Sequence, residues 1–279
     1  MEPPAKKPRL ESPWEEFKLF EKHRDNAELY SRFKKEISSH ADGYAWLESE
    51  LGSDALWEEG DWCYDIEELA DLFHTRRVRE ELEARCVDIK IGEGATLRRI
   101  EDAVEFSGAE LDALVEILEK QEKLTFKMFG KTATMHRRQL MFGTEYKFGR
   151  VVVPRYRGHV PVLVRKCMKV ARKLYPSMSP NAALAIHYES NDYISPHADD
   201  ESEHRVGAPI LGFSFGETRK LIVKRKGAKR GDKEYVRIAQ DLPSGSLYIM
   251  EGPEFQKRYT HEVGKGKDCR VSITIREFV

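Results

Sequence analysis

Cysteine is scarce, at four residues in 279. Cys63, Cys86, Cys167 and Cys269 form no C-x-x-C pair and follow no signal peptide, which argues against a disulfide framework or a cysteine zinc site and for a reducing compartment. No apolar run approaches the roughly 18 residues of a membrane span, so no membrane partner is expected. Positive charge is missing from one long stretch: between Glu36 and Thr75 there are 12 acidic residues and no Lys or Arg. The chain as a whole carries a net charge of −1, so the compensating charge is concentrated elsewhere. Lys127 to Lys173 holds 13 basic residues against the single acid Glu145, and Arg219 to Arg237 holds nine against two. Such windows attract a phosphate polyanion; they read equally as solvated surface balanced within the fold.

Composition divides the chain further. Residues 1–16, with Pro3, Pro4, Lys6, Lys7, Pro8 and Arg9, cannot bury apolar area and are expected to form a flexible basic tail. The run Pro4 to Leu10 has the character of a nuclear import signal, so a nuclear location is expected, otherwise a cytoplasmic one. Residues 17–106 read as a helical, acidic extension with no legible role beyond a surface for a protein partner. All four tryptophans fall before residue 63. A helix is expected over Ala109 to Leu124, where Leu111, Leu114, Val115 and Leu118 recur on one face. Beyond Pro180 the texture turns to short β-rich segments: Leu184 to Tyr188, Pro209 to Phe215, Lys220 to Arg225, Tyr235 to Ile238, Ser246 to Met250 and Arg270 to Ile275. Many short strands after a helical lead-in predict an antiparallel barrel or jelly roll with helices outside.

An open-sided iron(II) site needs two imidazoles and a carboxylate on one face of the metal. The spacing His-x-Asp occurs three times, at His23/Asp25, His40/Asp42 and His197/Asp199. Only the third follows a hydrophobic strand and has a distant partner, His261, just before the last strand. On that strand Arg270, Ser272, Thr274 and Arg276 share one face and Val271, Ile273 and Ile275 the other. Two guanidinium groups at most roughly 20 Å apart along a strand suit a small dicarboxylate between them, because Arg forks grip carboxylates bidentately.

These residues resemble the AlkB-type iron(II) and 2-oxoglutarate-dependent dioxygenases, over about Ser107 to Val279. The likeness rests on Tyr188, the run His197-Ala198-Asp199-Asp200-Glu201, Gly207-Ala208-Pro209-Ile210, Ser214 to Arg219, His261, and Arg270 with Arg276 as an R-x5-R ending. One departure stands out: the family usually places Asn two residues before the Tyr, and this chain has Ile186, which removes one polar contact to the co-substrate. The resemblance implies an α+β fold, a double-stranded β-helix (jelly roll) over 107–279, with iron(II) on His197, Asp199 and His261. It implies 2-oxoglutarate held by Tyr188, Arg270, Thr274 and Arg276, with O2 as second co-substrate.

Upstream, Met128-Phe129-Gly130-Lys131, Arg137-Arg138-Gln139 and Phe142-Gly143 resemble the base-flipping lid of members acting on nuclear duplex DNA. There the Phe before Gly-Lys wedges into the stack, recovering stacking lost when a base is extruded. By the same likeness Phe129, Lys131, Arg137 and Gln139 contact nucleic acid, Tyr146 and Phe148 line the base pocket, and Asp200 accepts from an exocyclic amine. The implied activity is oxidative demethylation of 1-methyladenine and 3-methylcytosine in DNA by a monomer. The alternatives are RNA or protein as substrate, or a catalytically silent nucleic-acid binding module.

Overall fold

The structure, a computed structural model, describes residues 78–279 except 129–130 and 149–150, and the strand pair β1 (Trp57–Glu58) with β2 (Asp61–Trp62); of residues 57, 58, 61, 62, 128 and 148 it describes the backbone alone. The basic tail, the import signal, most of the acidic extension and Phe129 therefore lie outside the described residues. By contacts the chain divides into Met1–Glu80 and Glu81–Val279.

The second unit contains two larger antiparallel sheets and two two-stranded hairpins. Its first elements are β3 (Val87–Gly92) and β4 (Ala95–Ile100). These form a hairpin in the large sheet, where the expectation was helix up to residue 106 and a catalytic unit beginning at 107. The physical reason is visible in Val87, Ile89 and Ile91, which alternate with polar residues at the strand period of two, and in Gly94, whose φ of +66° turns the chain back. Helix α1 (Gly108–Glu119) follows, shorter at its C-terminal end than the expected helix. It opens with a reciprocal capping box between Ser107 and Glu110 and buries Leu114 and Leu118. Next come β5 (Thr125–Met128), β6 (Lys131–Thr134), β7 (Arg138–Gly143), β8 (Tyr146–Phe148) and β9 (Val151–Val153). Helix α2 (Val162–Leu174) buries Leu163, Val164, Cys167, Ala171 and Leu174.

The remaining strands are β10 (Ala182–Tyr188), β11 (Ile194–His197), β12 (Ile210–Gly216), β13 (Arg219–Arg225), β14 (Arg237–Leu242), β15 (Leu247–Glu251), β16 (Tyr259–Val263) and β17 (Arg270–Arg276), with the short helix α3 (Phe255–Arg258) before β16. Six of the eight lie within a few residues of the expected strands; β11 and β16, which carry His197 and His261, were not among those expected. The large sheet runs β3-β4-β15-β12-β17-β10-β7 and the small one β11-β16-β13-β14. This is the jelly roll. Ser272, Thr274 and Arg276 of β17 and His261 and Val263 of β16 line one cavity, so the cavity lies between the sheets. Val271, Ile273 and Ile275 face the other way, toward the side where α1 packs on β10 and β7 and α2 on β17.

Candidate active site

β11 and β16 pair so that His197 stands directly opposite His261, with ring centroids 4.2 Å apart and inclined at 48°. Asp199, two residues beyond β11, is buried, and the ligand-capable atoms of His197, Asp199 and His261 all lie within 4.8 Å of one another. The three side chains singled out in the sequence thus converge. Each is also oriented. Nδ1 of His197 lies 2.9 Å from the Ser195 carbonyl, which can only accept, so Nδ1 carries the proton and Nε2 presents a lone pair 3.6 Å from Asp199 Oδ1. Burial, then the neighbouring His197, pushes the His261 pKa down to about 3, leaving that imidazole neutral. Burial alone would raise the Asp199 pKa; the Arg276 guanidinium reverses this and holds it well below the usual carboxylate range. Arg276 Nη2 donates to Asp199 Oδ2 at 2.7 Å, and the Asp199 N–H donates to Gln256 Oε1 of α3 at 2.9 Å.

The cavity beside this cluster has a volume of about 490 Å³, within the roughly 300–1,000 Å³ of small-molecule sites. Tyr188, Thr274, Arg276, Tyr146 and Arg137, all singled out in the sequence, line it. Arg270 is buried behind Tyr188, with its guanidinium carbon 5.1 Å from that ring's centroid. Its Nε donates to Ser214 Oγ at 3.0 Å, while Nη1 and Nη2 are buried with no partner among the described residues. A buried guanidinium lacking an anion is costly, so the protein has left a fork free for a carboxylate. A His/Asp/His donor set and an unfilled arginine fork fit iron(II) and 2-oxoglutarate, respectively.

Other expected contacts are placed differently. Asp200 points away from the cavity, exposed and paired with Lys226 at 3.3 Å. Its neighbour Glu201 touches a residue of the cavity wall: Oε1 accepts from the Tyr146 hydroxyl at 2.5 Å, and Oε2 is buried with no partner among the described residues. Gln139 is buried in β7 outside the cavity wall, and Lys131 is exposed at the start of β6. Only the backbone of Phe148 is described, within β8. The sequence reading passed over Tyr248, His136 and Tyr193, which also line the cavity; the last two stack with centroids 5.0 Å apart. No motif marks them. Tyr248 sits in an apolar strand and looks like any inward aromatic.

With the fold and cluster in view, comparison with known proteins assigns the class. The chain belongs to the 2OG-Fe(II) oxygenase superfamily, whose family model matches residues 101–276. Within that class it is an AlkB-type protein, similar to "DNA oxidative demethylase ALKBH2" of Bos taurus at 30% identity over 190 residues, which cover 62% of this chain and 66% of the relative. It is 34% identical over 103 residues to "Alpha-ketoglutarate-dependent dioxygenase alkB homolog 3" of Rattus norvegicus, covering 34% and 35%. A further ALKBH2, from Arabidopsis thaliana, is 28% identical over 134 residues, covering 40% and 42%. The chain thus spans just under two thirds of the bovine relative and less than half of the other two.

Proposed function

We propose that the protein is an iron(II)- and 2-oxoglutarate-dependent dioxygenase that removes N-methyl groups from nucleobases in DNA, with 1-methyladenine and 3-methylcytosine as substrates. The observation that carries this reading is the buried convergence of His197, Asp199 and His261 in a cavity next to the free fork of Arg270. When bound, iron and 2-oxoglutarate supply the activation of dioxygen that hydroxylates the methyl carbon, after which formaldehyde is lost. The chain supplies the rest. His197, Asp199 and His261 hold the metal; Arg270, with Tyr188, Thr274 and Arg276, holds the co-substrate. Tyr146 and Phe148 flank the base, and methylation at these ring positions gives it a positive charge, which an aromatic face and the Glu201 carboxylate favour. The unpartnered Oε2 of Glu201 is an acceptor for the exocyclic amine, a role that Asp200, paired with Lys226, is less well placed to fill. Phe129 fills the gap left by the extruded base, and Lys131 and Arg137 hold the strand. A duplex-DNA substrate and the basic run at residues 4–10 together favour a nuclear location.

Mass spectrometry of a panel of methylated oligonucleotides, incubated with the protein, iron(II) and 2-oxoglutarate, tests this. Loss of methyl groups from DNA, with succinate and formaldehyde formed and all three abolished in Asp199→Ala, is the expected result. Turnover of methylated RNA alone would move the substrate, and no turnover on any methylated DNA, RNA or peptide would refute the enzymatic reading. Phe129→Ala should reduce action on duplex DNA and spare single strands; equal activity on both would remove the wedge role.

A further inference from the structure

The ring of Tyr146 is held at both ends. Tyr146 lines the cavity from β8, and its ring lies parallel to that of Phe278 within 10°, with centroids 5.8 Å apart, in the offset arrangement that aromatic pairs favour. Phe278 follows Arg276 by two residues and is buried. The guanidinium carbon of Arg276 lies 5.3 Å from the Tyr146 centroid, so the phenol is seated across two side chains of the segment leaving β17. Its hydroxyl is fixed separately, by the hydrogen bond to Glu201 Oε1. The stack sets the tilt of the ring and the hydrogen bond its direction.

Residues 277–279 also hold the loop that carries Glu201. His204 and Phe278 meet in an isolated antiparallel bridge, where the Arg205 N–H donates to the Glu277 carbonyl and the Val279 N–H to the Glu203 carbonyl, each at 2.9 Å. The buried Glu277 carboxylate accepts from Arg205 Nη1 at 2.5 Å and from the Ser179 N–H at 3.2 Å. The His204 ring packs edge-on against Phe278, with centroids 6.0 Å apart. Phe278 thus sits between Tyr146 and the loop. Its backbone is clamped as well: Asn181, exposed just ahead of β10, donates from Nδ2 to the Phe278 carbonyl at 2.8 Å and accepts the Phe278 N–H on Oδ1 at 2.9 Å. One side-chain amide satisfies both backbone groups, as a neighbouring strand would.

We propose that Phe278 is a positioning residue for the nucleobase: it sets the plane of Tyr146 and, through residues 203–205, the place of the Glu201 carboxylate, so preference for a methylated base depends on it. The inference rests on Tyr146 and Glu201 contacting the base, and extends that reading to a side chain behind the cavity wall.

The test is fluorescence anisotropy of the full chain loaded with Mn(II) and 2-oxoglutarate, against two labelled single-stranded oligonucleotides that differ in one base, 3-methylcytosine or cytosine. Phe278→Leu keeps an apolar side chain but offers no flat face. It should lose roughly two- to ten-fold of the wild-type preference for the methylated strand, the worth of one aromatic pair, with affinity for the unmethylated strand and for Mn(II) unchanged. Phe278→Tyr keeps the ring and should keep the preference. Asn181→Ala releases the Phe278 backbone from outside the cavity and should lower the preference in the same direction, which decides the matter if Phe278→Leu folds poorly. Wild-type preference in a folded Phe278→Leu, or in Asn181→Ala, would overturn the proposal. So would equal losses for the two strands, the result of a general loosening of the fold. A wild-type protein that binds both strands alike would instead overturn the base-contacting roles of Tyr146 and Glu201.

Discussion

Arg276 and Asp199 form an ion pair that is nearly free of solvent, with side chains 4% and 2% exposed. Substituting Arg276→Met keeps the length of the side chain and removes its charge. The Asp199 carboxylate then loses its closest counter-charge, and breaking a buried pair in this way costs about 3–5 kcal/mol. For a unit of this size each kcal/mol moves the melting temperature by about 2–4 °C, so the metal-free variant should melt roughly 6–20 °C below wild type. A divalent cation held by His197, Asp199 and His261 restores positive charge beside the same carboxylate. Saturating Mn(II) should therefore stabilise the variant more than the wild type and close most of the gap. Differential scanning fluorimetry with and without the ion reads both numbers. A melting temperature within about 2 °C of wild type in the metal-free state would refute the magnitude. A deficit equal in the presence and absence of Mn(II) would refute the placement of the cation at Asp199.

Three further outcomes are expected. His187 is buried in β10 with neither ring nitrogen partnered, and burial lowers its pKa against the opposing pull of Glu119 on α1 and of Glu189 and Asp192, with Arg138 of β7 adding to the lowering. The unfolded chain thus takes up this proton first, and stability falls as pH drops below about 6.5; His187→Leu should flatten that slope in pH-dependent urea melts, leaving the separate loss below 4.5 that comes from Glu189, which Lys123 and Arg138 hold down to about 2. Gln256→Leu leaves the Asp199 N–H without its acceptor and should weaken Mn(II) binding, whereas Gln256→Glu should retain it; identical affinities in calorimetry would show that the amide plays no part in placing the carboxylate. Eight cations near the cavity or in and just after the β13–β14 connection, Lys127, Lys131, Arg137, Lys265, Lys229, Arg230, Lys233 and Arg237, make no ion pair among the described residues, so the log–log salt slope for duplex DNA should be no steeper than roughly −7. A steeper slope in fluorescence anisotropy would bring the exposed α2 residues Arg165, Lys169 and Arg172 into the interface.

The strands around the cavity were legible because each is short, apolar on at least one face and bounded by Gly, Pro or Asp. β17 was the clearest: its inward set, Ser272, Thr274 and Arg276, is the set that lines the cavity. The β3–β4 hairpin was not legible, since its alternation covers only a few residues and follows a longer amphipathic helical pattern. Helix α2 escaped notice for a different reason. Arg165, Lys166, Lys169, Arg172 and Lys173 dominate its composition, and the buried Leu163, Val164, Cys167, Ala171 and Leu174 are dispersed among them. Charge counting drew attention to the window and away from its period. At the site, the residue types were readable but their connections were not, as adjacent Asp200 and Glu201 show by turning to Lys226 and Tyr146.

The same limit applies to positive charge, which a sequence can count but cannot allocate. Five of the nine basic residues between Arg219 and Arg237 are committed to carboxylates: Arg219 to Glu217, Lys220 to Asp241, Lys224 to Glu262, Arg225 to Glu234 and Lys226 to Asp200. Arg219 is not available to phosphate at all, being buried and bonded to the carbonyls of Glu189, Asp192 and Asp268, where it fixes the turn after Tyr188. Arg276 is likewise committed, to Asp199. Arg270 shares their burial but has only a neutral hydroxyl as hydrogen-bond partner. Burial without an anion destabilises a guanidinium, so a fold that places two arginines on partners and leaves the third open has reserved that third one for a ligand. That contrast, more than the R-x5-R spacing itself, separates an arginine that binds co-substrate from one that builds the protein.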